Sequence, residues 1–212
     1  SQVTDDPTFY QAAERHARQT AENFIRPDST TFHTFYFDTQ TGTPRYGQTH
    51  QGYSDDSCWA RGQAWAIYGF VLSYRYTRNP LFLQASQRVA EYFLAHLPAD
   101  KVAYWDLVFT DGSAEERDSS ASAIAACGLL ELAGWLPEPA QAARYQATAE
   151  QMTQSLYEVY STRNDPASNA LILHGVYGKP LGHGVDEANL WGDYFYLEAL
   201  MRLSRPDWKI YW

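Results

Sequence analysis

Positive charge is scarce in this chain: 16 Lys and Arg stand against 25 Asp and Glu, for a net charge of −9 over 212 residues. That shortfall argues against nucleic acid as a partner, because no basic field is available to neutralise phosphates. Cysteine is scarcer. The two present, Cys58 and Cys127, are too few for a disulfide scaffold and lack the CxxC spacing of a metal or redox site. Both sit in apolar helical patterns and read as small buried hydrophobes in a reducing, cytoplasmic setting. No apolar run approaches the roughly 18–20 residues that span a bilayer, so no membrane partner is expected. An initiator Met and a hydrophobic leader are also lacking, so the polar stretch Ser1 to Pro7 reads as a start inside a longer chain.

Apolar and flat side chains are plentiful. Hydrophobic residues make up 45% of the chain, which excludes a disordered polymer. Sixteen Tyr, ten Phe and seven Trp exceed what a core alone uses, and the surplus suits stacking on sugars or heterocycles.

An internal repeat organises the rest. Pro7-Thr-Phe9-Tyr-Gln11-Ala12 matches Pro80-Leu-Phe82-Leu-Gln84-Ala85, and Tyr145-Gln146-Ala147 is a looser third copy. Each opens an Ala-rich helix with apolar positions three and four apart, over 8–25, 80–97 and 139–161. A second helix type alternates with these, nearly apolar all round, over 57–77, 119–135 and 187–203. Asp56, Asp118 and Asp186 stand where N-caps are expected. Strand signals are confined to short stretches such as Phe32–Phe37. The reading is all-α: three αα-hairpins, each pairing an amphipathic outer helix with a buried inner one, closing as part of an α/α toroid. Three long linkers, 26–55, 98–117 and 162–185, all end at inner-helix N-termini. They should gather on one rim, where helix dipoles present their positive ends, and the site is expected there.

The densest constellation runs from His33 to Trp65. Trp59 and Arg61 open an inner helix, and Trp65 lies one turn below Arg61. An Arg fork beside two indoles would suit an acidic sugar. The competing interpretation pairs Arg61 with Asp55 or Asp56 and packs the indoles into the core.

The block His50-Gln51-Gly52-Tyr53-Ser54-Asp55-Asp56-Ser57, with Trp59-Ala60-Arg61-Gly62-Gln63-Ala64-Trp65, resembles the unsaturated glucuronyl hydrolases of glycoside hydrolase family 88. Tyr104-Trp105-Asp106, Arg117-Asp118-Ser119-Ser120-Ala121 and Gly192-Asp193-Tyr194-Phe195 resemble that family's later blocks. The resemblance implies an (α/α)₆ barrel, of which this chain holds about three of the six hairpins, as the C-terminal half of one catalytic domain over 1–212. It implies release of a terminal C4=C5 unsaturated uronic acid from lyase-generated oligosaccharides. The vinyl ether is protonated, water adds at C5, and the hydrated ring then collapses. No cofactor or metal is implied.

By the same resemblance His33 and Gln51 lie near the sugar ring and the attacking water, Arg61 holds the uronate or its neighbour, and Trp59 and Trp65 form aromatic walls. The acid/base Asp is expected upstream of Ser1, which leaves Asp106 as the in-chain candidate and this polypeptide inactive alone. Alternatives from other classes are a non-catalytic acidic-sugar-binding fragment and a helical-repeat scaffold. An opened ring also leads to an expectation of self-association through its exposed faces.

Overall fold

The computed structural model describes residues 4–205 and 207–210. Among the described residues, six α-helices alternate as the repeat requires. The outer set is α1 (Pro7–Phe24), α3 (Pro80–Ala95) and α5 (Pro139–Ser155); the inner set is α2 (Ala60–Thr77), α4 (Ser119–Ala133) and α6 (Leu190–Ser204). Each outer helix starts with Pro in its first turn, where the missing N–H costs nothing. Asp6 and Asn79 cap α1 and α3 by accepting from Thr8 N and Leu81 N. A wider π turn, Leu156–Tyr160, extends α5 almost to its expected end.

The inner helices lie side by side, α2 on α4 and α4 on α6, with the outer helices behind them. The arrangement is an arc of an α/α toroid. α4 is buried without interruption from Ser119 to Leu129, as expected for a helix without a polar face. Its Gly128 lets α2 approach closely, since a Cβ there would stand 2.9 Å from Ile67 and 3.0 Å from the Tyr68 nitrogen. The core fills the space between these helices with Ile67, Val71, Phe93, Leu129 and Leu132. Both cysteines are free and buried. Among the described residues, no helix is long and apolar enough to cross a membrane.

Three sequence expectations need correction. Asp56 does not cap α2, which begins at Ala60 with no side-chain cap. Residues 58–60 are instead drawn into pairing with 105–107, Leu107 N donating to Cys58 O and Ala60 N to Trp105 O, so the helix starts later. Asp186 does not cap α6 either; Asn189 does, accepting from Gly192 N. Asp186 belongs to a hairpin of β3 (Gly175–Gly178) and β4 (His183–Glu187), and β1 (Thr34–Phe37) pairs with β2 (Pro44–Gln48). Three of these four strands gave no sequence signal, because they are short and interrupted by Gly or Pro.

The long linkers do meet on one rim. Asp118 N donates to Ala103 O, Ser119 N to His174 O, and the Gln51 amide to Tyr177 O at 2.7 Å. Lys179 reaches from the β3–β4 hairpin to both Glu115 and Glu116 of the middle linker.

Candidate functional site

His33 leaves the first linker just before β1, and its ring is half-buried against Trp59 at 4.4 Å between centroids. Its Nδ1 accepts two backbone N–H groups, His50 N at 3.0 Å and Gln51 N at 3.1 Å. An acceptor Nδ1 places the proton on Nε2, so the ring is held as a neutral donor of one tautomer. Burial lowers its pKa to about 4, helped by the charges of His50 and Arg61.

That shift carries a stability signature. The unfolded ring binds a proton below its ordinary value near 6.5 and the folded ring resists until about 4. This contribution is therefore complete above pH 6.5 and lost as pH falls toward 4. Urea unfolding at pH 7 and pH 5 should show lower stability at pH 5, and His33→Gln should flatten the part of that slope due to this ring. An unchanged slope in the variant would contradict the pinned neutral ring.

His33, Trp59 and Trp65 line one groove of about 450 Å³ between α1 and α2. Trp65 is 36% exposed and Trp59 only 8%, so Trp65 is the accessible wall. Trp59 also carries a buried indole N–H with no hydrogen-bond partner. Gly62 makes room for the Trp59 ring, 2.7 Å from where its Cβ would be. Among the described residues, no carboxylate lines the groove.

Gln51 and Arg61 do not line it. Gln51 spends its amide N–H on the β3 backbone. Arg61 is 3% exposed, and its fork is occupied by partners inside the protein. It donates to Asp118 Oδ2 at 2.8 Å, to Tyr177 O at 2.6 Å and to Val176 O, between the rings of Trp59 and Trp191. Its carboxylate partner is thus neither Asp55, which accepts from Thr49 N, nor Asp56. Arg61 is the brace behind the Trp59 wall and the fastener of the hairpin.

Asp106 also differs from expectation. It is fully buried, and its carboxylate accepts from Tyr53 N, Ser57 Oγ and Val108 N at 2.7–3.2 Å. A carboxylate with no exposure and three internal donors ties two linkers together. The cysteine thiols are no more available, burial pushing that of Cys58 up to about 12.

Sequence reasoning missed the second role of Asp118, which caps α4 through Ser120 N and Ala121 N while pairing Arg61. The cap was legible locally; its partner lies 57 residues earlier in the chain. It also missed the contact of His174 with Asp186, at 2.6 Å across the root of the β3–β4 hairpin.

Comparison with known proteins places this geometry. The model of a family described as Glycosyl Hydrolase Family 88 matches residues 1–204. The unsaturated chondroitin disaccharide hydrolase of Streptococcus pneumoniae is 50% identical over 212 residues, which is all of this chain and 53% of that protein. The crystal structure of the unsaturated glucuronyl hydrolase of Streptococcus agalactiae superposes with a TM-score of 0.95 at 50% identity, covering 100% of this chain and 53% of that one. A variant of the latter enzyme, solved in complex with dGlcA-GalNAc6S, superposes at 0.90, with 50% identity over 100% of this chain and 56% of that one. The chain spans about half the length of the curated relatives it matches.

Proposed function

The chain belongs to glycosyl hydrolase family 88, and on that footing we propose that residues 1–212 are the C-terminal half of one α/α-barrel catalytic domain. The whole domain removes a terminal C4=C5 unsaturated uronic acid from lyase-generated oligosaccharides. In this division of labour the present half supplies sugar-binding walls and a hydrogen-bond donor, and the acid that protonates the vinyl ether comes from elsewhere. The observation that carries the reading is the shared groove of His33, Trp59 and Trp65 with no carboxylate in its lining.

Each residue then has a role. Trp65 stacks on the apolar face of the ring, with Trp59 behind it. His33, neutral throughout the working pH range, offers its Nε2–H to a sugar or water oxygen without competing for the acid's proton. Gln51 sets the His33 ring by donating its backbone N–H to Nδ1. Arg61 serves the uronate indirectly, by holding Trp59 and the carbonyls of Val176 and Tyr177 in place. Asp106 is assigned to loop fastening. The unsaturated saccharide bound by the Streptococcus agalactiae enzyme supports a uronic-acid oligosaccharide as partner. The free, buried thiols support a cytoplasmic setting.

Calorimetry with an unsaturated uronyl disaccharide should detect binding that Trp65→Ala weakens about fivefold, the equivalent of about 1 kcal/mol of lost ring contact. The double bond's ultraviolet absorbance should persist in the same sample. Equal affinity in the variant would remove Trp65 from the site. Loss of absorbance with this chain alone would place the acid within it.

A further inference from the structure

The two faces of the β1–β2 hairpin are used unequally. On the inner face Phe35 packs against Phe24 and Phe32, and Gly47 opposite it leaves room for the Phe32 ring. On the outer face Tyr36 and Tyr46 are direct cross-strand partners. Their rings stack at 4.9 Å with planes 28° apart, yet they remain 37% and 50% exposed. Arg45 holds its guanidinium 6.0 Å from the Tyr46 centroid, at the outer limit of a cation–π contact. It has no ion-pair partner among the described residues.

The tyrosine pair is continuous with the groove. Tyr36 Oη lies 3.1 Å from His50 Nε2, the His50 ring stands edge-on to His33 at 5.8 Å, and His33 lies on Trp59. A file of flat rings thus runs from the groove wall out to open surface. Its outer end is held in place before any ligand arrives. His50 fixes the Tyr36 hydroxyl, and Asp38 ties the hairpin tip by accepting from Gln40 N at 3.0 Å and Thr41 N at 2.8 Å.

We propose that Tyr36, Tyr46 and Arg45 form a saccharide platform for the units that follow the terminal sugar of the oligosaccharide, with Arg45 pairing the carboxylate of a further uronic acid. The inference rests on the functional reading above and extends it from the terminal ring to the rest of the substrate. An exposed, rigid ring offers a pyranose an apolar face at little cost in conformational entropy. An unpaired guanidinium beside it selects a carboxylate by charge and by its two-pronged fork. Steadying the hairpin is the other use of a cross-strand pair. Phe35 already does that from the inner face, and it gives Arg45 no purpose.

Calorimetry with unsaturated di- and tetrasaccharides cut from hyaluronan by a lyase tests this, because the tetrasaccharide adds a second uronic acid beyond the terminal pair. The chain should bind the tetrasaccharide about fivefold more tightly than the disaccharide. Tyr46→Ala should bring that ratio to about one. Arg45→Ala should lower it about twofold at low salt, and Tyr46→Phe, which keeps the ring, should preserve it. A hairpin that merely came loose would weaken both sugars together, through His33, and leave the ratio unchanged.

Equal affinity of the parent chain for the two sugars, or a ratio untouched by Tyr46→Ala, would overturn the proposal; Trp65-dependent binding of the disaccharide would then leave the functional reading standing. Tetrasaccharide binding that needs Tyr46 but not Trp65 would keep the platform and overturn the functional reading. Failure to bind either sugar would overturn both.

Discussion

Asp118→Ala is expected to lower the unfolding free energy by about 4–6 kcal/mol, a large share of the roughly 5–15 kcal/mol that holds a typical domain. Two losses combine. Arg61, 3% exposed, would keep its charge in the interior without a counter-charge, which costs about 3–5 kcal/mol when one member of a buried pair is removed. The first turn of α4 would lose the acceptor for Ser120 N and Ala121 N, worth about 1 kcal/mol. Asp118→Asn keeps the cap and should cost about 1 kcal/mol less than Ala. Adding Arg61→Met to Asp118→Ala should recover most of the loss, because a buried pair replaced by apolar groups is often close to neutral. Urea denaturation of the parent, Asp118→Ala, Arg61→Met and the double variant closes the cycle. If the double variant were as unstable as Asp118→Ala, the stranded charge would not be the cause.

Glu131→Ala should be comparably damaging at the other end of the same helix. Glu131 accepts from Arg75 Nη1 and Trp135 Nε1 through one oxygen and from Arg202 Nη1 through the other, at 2.9–3.0 Å. Glu198 holds Arg202 Nε and the Tyr68 hydroxyl beside it. Removing Glu131 would take the carboxylate from Arg75 and leave Arg202 with Glu198 alone in a mostly buried cluster, with a cost of about 3–5 kcal/mol. The pH dependence identifies the group. Burial acts to raise the Glu131 pKa, yet the donors from Arg202, Trp135 and Arg75 prevail and hold it below the ordinary value of 4.5. Its stabilisation is therefore present above pH 4.5 and lost as pH falls through the lower folded value. Glu131→Ala should show a shallower loss of stability on acidification than the parent chain, as read by circular dichroism from pH 6 to 3. A parallel acid limb would show that other carboxylates govern it.

Asp118 and Glu131 together explain why α4 can be almost wholly apolar without slipping among its neighbours. Burial supplies attraction but little register. The ion pairs at its two ends, to α2 above and to α2 and α6 below, tie its level to theirs.

The alternation of helices was legible because its signals are local. Pro in the first turn, a capping Asp or Asn, and apolar positions three and four apart each act within a turn or two of chain. Thus α1, α3 and α5 begin within a residue of expectation, and Asp118 caps as anticipated. Asp56 and Asp186 failed because the same local signal was outweighed by pairing with distant backbone, residues 105–107 in one case and β3 in the other. The internal partners of Asp106 and Arg61 were illegible for the same reason. Both have residue types suited to chemistry, and both are committed to partners 49–57 or more residues away.

The low basic charge, the aromatic surplus, the three hairpins and the His33-to-Trp65 block were all present in the order of residues, since composition, periodicity and caps depend on near neighbours. Which of those block residues share a groove, and which brace it from behind, depended on how α2, α4 and the β3–β4 hairpin come together. Hydrogen-bond acceptors for a buried Arg are chosen by proximity in space, and no spacing along the chain encodes that choice.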